Sequence, residues 1–151
     1  MDAHVVFFLN GPSANLYGLD PGGLYGSENY AQIEARCAKH AMSLSVNLVF
    51  RQSNHEGVLI DWIQEARREA DGLIINGAGL TYTSVALLDA LLALEKPILE
   101  VHMSNIYRRE PFRHHSFISK AATGAIAGLG PFGYELALTA MADMLANNPV
   151  V

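Results

Sequence analysis

Cysteine is nearly absent: Cys37 is the only one in 151 residues. That excludes an intramolecular disulfide and fits a cytoplasmic chain with one buried, inert thiol on the inner side of a helix. Basic residues are scarce, 10 against 15 acidic, and the net charge of −5 argues against a nucleic-acid partner, which needs a basic face. No apolar run approaches the roughly 20 residues of a membrane-spanning helix. The opening "MDAHVVFF" carries no Lys or Arg and so lacks the basic start of a signal peptide. Metal-ligand spacing is missing too, since His114 and His115 are adjacent and diverge. No repeat or linker interrupts the chain, whose length suits a single domain spanning residues 1–151.

What is present is an alternation of apolar runs and helical periods. Strands are expected at His4–Leu9, Leu44–Phe50, Leu73–Ile75, Pro97–Val101 and Ala122–Ala127. Between them, Tyr30–His40, the stretch "HEGVLIDWIQEARREA" capped by Asn54, Ser84–Leu94 and Pro131–Ala146 have helical spacing. The strands show no in–out alternation, which describes a parallel sheet covered on both faces, an α/β fold. Ligands in such folds sit beyond the carboxyl ends of the strands. The residues following each strand are therefore the candidates: 10–25, 52–55, 76–83, 102–113 and 128–133.

These segments differ in what they offer. "GLGPFG", Gly128–Gly133, matches a dinucleotide fingerprint in form, but it lies at the last βα unit, so a tight turn is the better reading. "RQSNHEG" is explained by helix capping through Ser53 or Asn54. "GPSANLYGLDPGGLYG" lacks a phosphate-binding lysine and carries Asp20, so it reads as a glycine-rich lid. "EVHMSN" holds the sharpest signal. Glu100 and His102 lie two apart on one strand and point to one side, so the carboxylate can orient the imidazole for acid–base work. Arg113, in the basic stretch "REPFRHHS", suits a carboxylate or hydroxyl-rich ligand.

In order and near the expected spacings, "LNGP", "YGS", "QSNHEGVLIDWI", "TSVALLDAL", "EVHMSNI", "FRHHS" and "GLGPFGYELAL" make the chain resemble the type II 3-dehydroquinate dehydratases over nearly its whole length. The resemblance implies a flavodoxin-like three-layer sandwich with five parallel strands, and a dodecamer built as a tetramer of trimers. It implies a lyase that removes water from 3-dehydroquinate by anti-elimination through an enolate, with no metal and no organic cofactor. It implies a place in shikimate-pathway chemistry, either aromatic amino acid biosynthesis or quinate catabolism. By the same resemblance Tyr25 is the base, His102 the acid and Glu100 its orienting partner. Asn76 holds substrate and acid, backbone amides near Met103 and Ser104 bind the carboxylate, Arg113 reaches ring hydroxyls, and Asp89 enters a neighbouring subunit's site.

Three positions depart from the pattern. Ser13 replaces an asparagine that helps hold a water near the enolate oxygen. Asp20 stands in place of the lid arginine, and Tyr82 in place of a histidine that binds substrate hydroxyls. An aspartate beside Tyr25 disfavours a phenolate, where an arginine favours it. Low turnover of 3-dehydroquinate is then expected unless another cation, Arg108 or Arg109, stands in. Two other functions fit these changes: action on a different cyclic hydroxy keto acid, or a weakly active ligand-binding or structural homologue.

Overall fold

A computed structural model describes residues 2–147. Five strands form one parallel sheet in the order β2-β1-β3-β4-β5. They are β1 (Val5–Asn10), β2 (Asn47–Gln52), β3 (Gly72–Asn76), β4 (Ile98–His102) and β5 (Gly124–Ala127). Four α-helices connect and cover them: α1 (Tyr30–Ser43), α2 (Glu56–Glu69), α3 (Val85–Leu92) and α4 (Gly130–Ala146). This is the expected α/β sandwich. Alternate residues of each strand feed opposite layers. Val6 and Phe8 pack with Ile33, Cys37 and Ala41 of α1 and with Tyr134, Leu138 and Met141 of α4. Phe7 and Leu9 pack with Leu59 and Ile63 of α2 and with Leu87 and Leu91 of α3. Burial on both faces explains why the strands read as continuous apolar runs.

The chain steps from β1 outward to β2, then back across β1 to β3. The sheet therefore reverses its winding between β1 and β3, which opens a crevice outside their carboxyl ends. Register brings those ends level: Asn10 lies opposite both Gln52 and Asn76. The turns leaving β1 and β3 nearly touch. A Cβ on Gly11 would meet the Gly77 carbonyl oxygen at 2.6 Å, so only glycine allows this approach.

The structure moves two expected features. The second strand starts at Asn47, not Leu44, because α1 runs on to Ser43 and Ser45 turns the chain with φ of 56°. Asn54 does not cap α2. The N-cap is His55, without a side-chain bond. The Asn54 carboxamide oxygen instead accepts from the Ser13 backbone N–H at 2.9 Å and from Gln52 at 3.0 Å, tying the first loop to the second. The helix start that does carry a capping box is α1, where Asn29 and Gln32 exchange bonds of 2.8 and 2.9 Å. Gly128 fits the tight-turn reading of "GLGPFG": its φ is 91°, and a Cβ there would meet the Asn105 Cβ at 3.0 Å.

Candidate active site

A cavity of about 260 Å³ lies in the crevice. Its lining includes Ser13 and Tyr25 from the first loop, Asn76 at the end of β3 and Tyr82 beyond it, and His102, Met103, Ser104 and Arg113 around and after the end of β4. Eight of the residues expected at a site thus meet in one place. Glu100, Asp20 and Asp89 do not line it. Glu100 stands behind His102. Asp20 is exposed on the lid, and Asp89 is exposed on α3. Among the described residues no group of three or more His, Cys, Asp or Glu side chains is placed to hold a metal.

His102 ends β4, and β geometry puts Glu100 on the same side of the strand. Both are almost fully buried, and Glu100 Oε2 lies 2.5 Å from His102 Nε2. That contact leaves Nδ1 as the nitrogen able to serve a molecule in the cavity. Two hydroxyls from the segment before β5 complete the carboxylate's shell: Ser116 donates to Oε2 at 2.8 Å and Ser119 donates to Oε1. Burial pushes the Glu100 pKa up, but the bonds from His102, Ser119 and Ser116 outweigh it and hold the carboxyl below its usual value. The pair is therefore arranged to keep a negative charge behind the imidazole.

Tyr25 lines the same cavity. Arg109 donates through Nη1 to the Tyr25 hydroxyl oxygen at 3.1 Å and to Ser104 Oγ at 3.2 Å. Its guanidinium carbon also lies 5.8 Å from the Tyr25 ring centre. Arg109 is thus the cation beside Tyr25 where Asp20 gives none, and Arg108 is exposed. Because Ser104 Oγ accepts from Arg109, its own proton is free for a ligand.

Arg113 and Tyr82 form the remaining wall. The guanidinium sits 5.4 Å from the Tyr82 ring centre, and its Nε bonds Glu110 at 2.5 Å. Tyr82 stacks on the His102 imidazole, centroids 6.2 Å apart and planes at 21°. Burial raises the Tyr82 pKa despite the bond and charge of Arg113, so the phenol stays neutral.

Asn76 lines the cavity, yet its amide is turned inward. It donates to Tyr17 Oη at 2.8 Å and to Tyr134 Oη at 2.7 Å. Asn10 and Tyr17 lie in the candidate segment 10–25 but carry no individual signal there, and Ser116, Ser119 and Tyr134 lie outside every candidate segment. Ser116 lies within "FRHHS" and Tyr134 within "GLGPFGYELAL", but only the fold brings them to Glu100 and Asn76. Two residues at the cavity hold left-handed backbone without being glycine, Ser13 (φ 70°) and Ala78 (φ 50°). Such strain gathers where surrounding contacts fix a working geometry.

Comparison with known proteins points one way. The sequence profile of the family described as dehydroquinase class II matches residues 4–142. A "3-dehydroquinate dehydratase" of Caulobacter sp. (strain K31) is 48% identical over 143 residues, covering 95% of this chain and 97% of that protein. The crystal structure of type II dehydroquinase from Butyrivibrio crossotus superposes with a TM-score of 0.90 at 36% identity, over 97% of this chain and 100% of that one. The corresponding enzyme structure from Propionibacterium acnes gives 0.89 at 38% identity, over 93% and 97%.

Proposed function

The chain belongs to the class II dehydroquinase family, and on that premise we propose that it is a 3-dehydroquinate dehydratase in which Tyr25 is the base and His102 the acid. The observation that carries this reading is the pairing of opposite charges across one cavity. A cation holds the Tyr25 oxygen, and a carboxylate holds the His102 ring. Tyr25, as its phenolate beside the Arg109 guanidinium, takes the proton from the carbon beside the ketone. The C–H electrons form a C=C bond and move negative charge onto the carbonyl oxygen. His102, oriented by Glu100, then gives a proton to the leaving hydroxyl as the C–O bond breaks. The enolate collapses to the conjugated enone and water departs.

Substrate binding follows the remaining lining. Arg113, Ser104 and backbone amides near Met103 suit the carboxylate and ring hydroxyls of a small anionic substrate in an otherwise acidic chain. Arg109 removes the reason to expect slow turnover from Asp20. Assembly into trimers and a dodecamer is part of the same reading, with exposed Asp89 serving a neighbour's site. Tyr82 carries the second reading. A phenol in place of an imidazole alters how ring hydroxyls are read, and that favours a related cyclic hydroxy keto acid.

The test is conversion of 3-dehydroquinate to its conjugated enone, followed by ultraviolet absorbance. Turnover by the native chain is expected, with kcat about 10³-fold lower in His102→Gln, in the range of a lost general acid. No conversion of 3-dehydroquinate by the native chain would overturn the substrate assignment.

A further inference from the structure

The polar groups behind the cavity wall form a chain whose hydrogen-bond directions are fixed end to end. Asn76 Oδ1 accepts from the Ala78 N–H at 3.1 Å, so its nitrogen is the side that faces the tyrosines. Both of its protons are then used, one on Tyr17 Oη at 2.8 Å and one on Tyr134 Oη at 2.7 Å. The Tyr134 hydroxyl passes its proton to Asn10 Oδ1 at 2.7 Å. Asn10 is oriented in turn by its amide bond to the Arg51 carbonyl at 3.2 Å. Tyr134 is sealed in the core, while Tyr17, 8% exposed, also lines the cavity. Among the hydrogen bonds of the described residues none takes the Tyr17 O–H as donor, and Tyr17 borders the cavity.

We propose that Tyr17 is a catalytic residue, its hydroxyl donating a hydrogen bond to the substrate oxygen that becomes negative when Tyr25 removes the proton. The proposal rests on the dehydratase reading above and deepens it. In that step the C–H bond breaks, the phenolate takes the proton and the ketone oxygen gains the charge. That oxygen is one carbon away from the carbon attacked, so its donor must stand beside the base. The Tyr17 and Tyr25 rings are 4.9 Å apart. Two donors near the base already have partners: Arg109 Nη1 bonds Tyr25 and Ser104, and both Asn76 protons go to tyrosine oxygens. Burial pushes the Tyr17 hydroxyl up to about 12 even though Asn76 donates to it, so at neutral pH it is a protonated donor and not a second base. A donation from Asn76 into the Tyr17 oxygen also polarises the O–H outward. The rival donor is the Ser13 hydroxyl, which is exposed and so partly satisfied by water.

Tyr17→Phe keeps the ring and removes the donor. Its kcat on 3-dehydroquinate is expected to fall about 10²–10³-fold, the scale of one lost oxyanion donor, with KM within threefold and the melting temperature little changed. The loss of kcat in Ser13→Ala should be roughly tenfold or more smaller than in Tyr17→Phe. A second readout needs no turnover. Tyr17→Phe should bind a cyclic β-diketone carboxylate, an enolate at neutral pH, at least tenfold more weakly, yet bind the saturated alcohol carboxylate as the native chain does. Wild-type kcat in Tyr17→Phe, or the large loss falling on Ser13→Ala instead, would overturn the proposal. Inactivity of the native chain on 3-dehydroquinate would sink the dehydratase reading, and the diketone affinities then decide Tyr17 alone: equal weakening of both ligands, or of neither, rejects it.

Discussion

The floor of the cavity and its lid are built in opposite ways. The floor joins β1, β3, β4 and α4 through the buried side-chain bonds of Asn10 to Tyr134, Tyr134 to Asn76 and Glu100 to His102, with part-buried bonds from Ser116 and Ser119. Their partners lie up to 124 residues apart in the chain. The lid, residues 18–26, has backbone bonds only to near neighbours, such as Gly23 to Asp20 and Gly26 to Gly23. It exposes Leu19 at 77% and Leu24 at 57%. What ties it to the site is Tyr25, through the Arg109 bond and the contact with Tyr17. His102 therefore sits in a preformed frame, whereas Tyr25 is placed by one cation and one ring. Preorganisation is inexpensive where the fold already buries the group, whereas an exposed loop gains it only from the few contacts its own side chains make.

Arg109→Met should sharpen this contrast most. It removes the cation at the base and leaves the floor untouched. A fall in kcat of about 100-fold, near 2.7 kcal/mol of transition-state stabilisation, is expected without loss of thermal stability. Thermal melting together with steady-state rates separates the two effects. An unchanged rate would mean that the lid needs no cation.

The floor should show itself in the pH dependence of stability. The Glu100 carboxyl is held below its ordinary value in the folded chain. Its contribution is then fully present above the unfolded value near ~4.3 and is lost as pH falls through the lower folded value, at about 1.4 kcal/mol per unit of depression. Ser119→Ala removes one donor and should make the protein unfold at higher pH during acid titration, while Ser119→Thr restores the native midpoint. Identical acid midpoints for the native chain and Ser119→Ala would place the stabilisation elsewhere.

The smallest effect is expected at the lid. With Arg109 already beside Tyr25 and Asp20 outside the cavity lining, Asp20→Arg should alter kcat by less than threefold. A tenfold rise would show that the lid charge still limits the base.

Much of the fold was legible because burial on both sheet faces leaves an unbroken apolar run, as in His4–Leu9 and Leu73–Ile75. Boundaries were less so. Leu44 is apolar enough for a strand, yet it follows α1 directly, and the chain must turn at Ser45 before the sheet can begin. Asn54 has the chemistry of a cap, but the first loop lies close enough to claim its oxygen. At the site, His102 with Glu100 could be read from a spacing of two on a strand. Arg109 could only be named as one of two candidates, and Tyr17 gave no signal beyond its place in a glycine-rich loop.

The sequence by itself determined the alternation of strands and helices, the placing of polar residues after strand ends and the Glu100–His102 pair, because each follows from local periodicity and burial. Only the tertiary structure decided which cation stands at Tyr25 and where the protons of Asn76 and Tyr134 go. Those contacts join residues 58 to 124 positions apart, and Arg109 reaches Tyr25 across 84. No local pattern encodes them, since hydrogen-bond direction is set by which groups the packed sheet and α4 bring within reach.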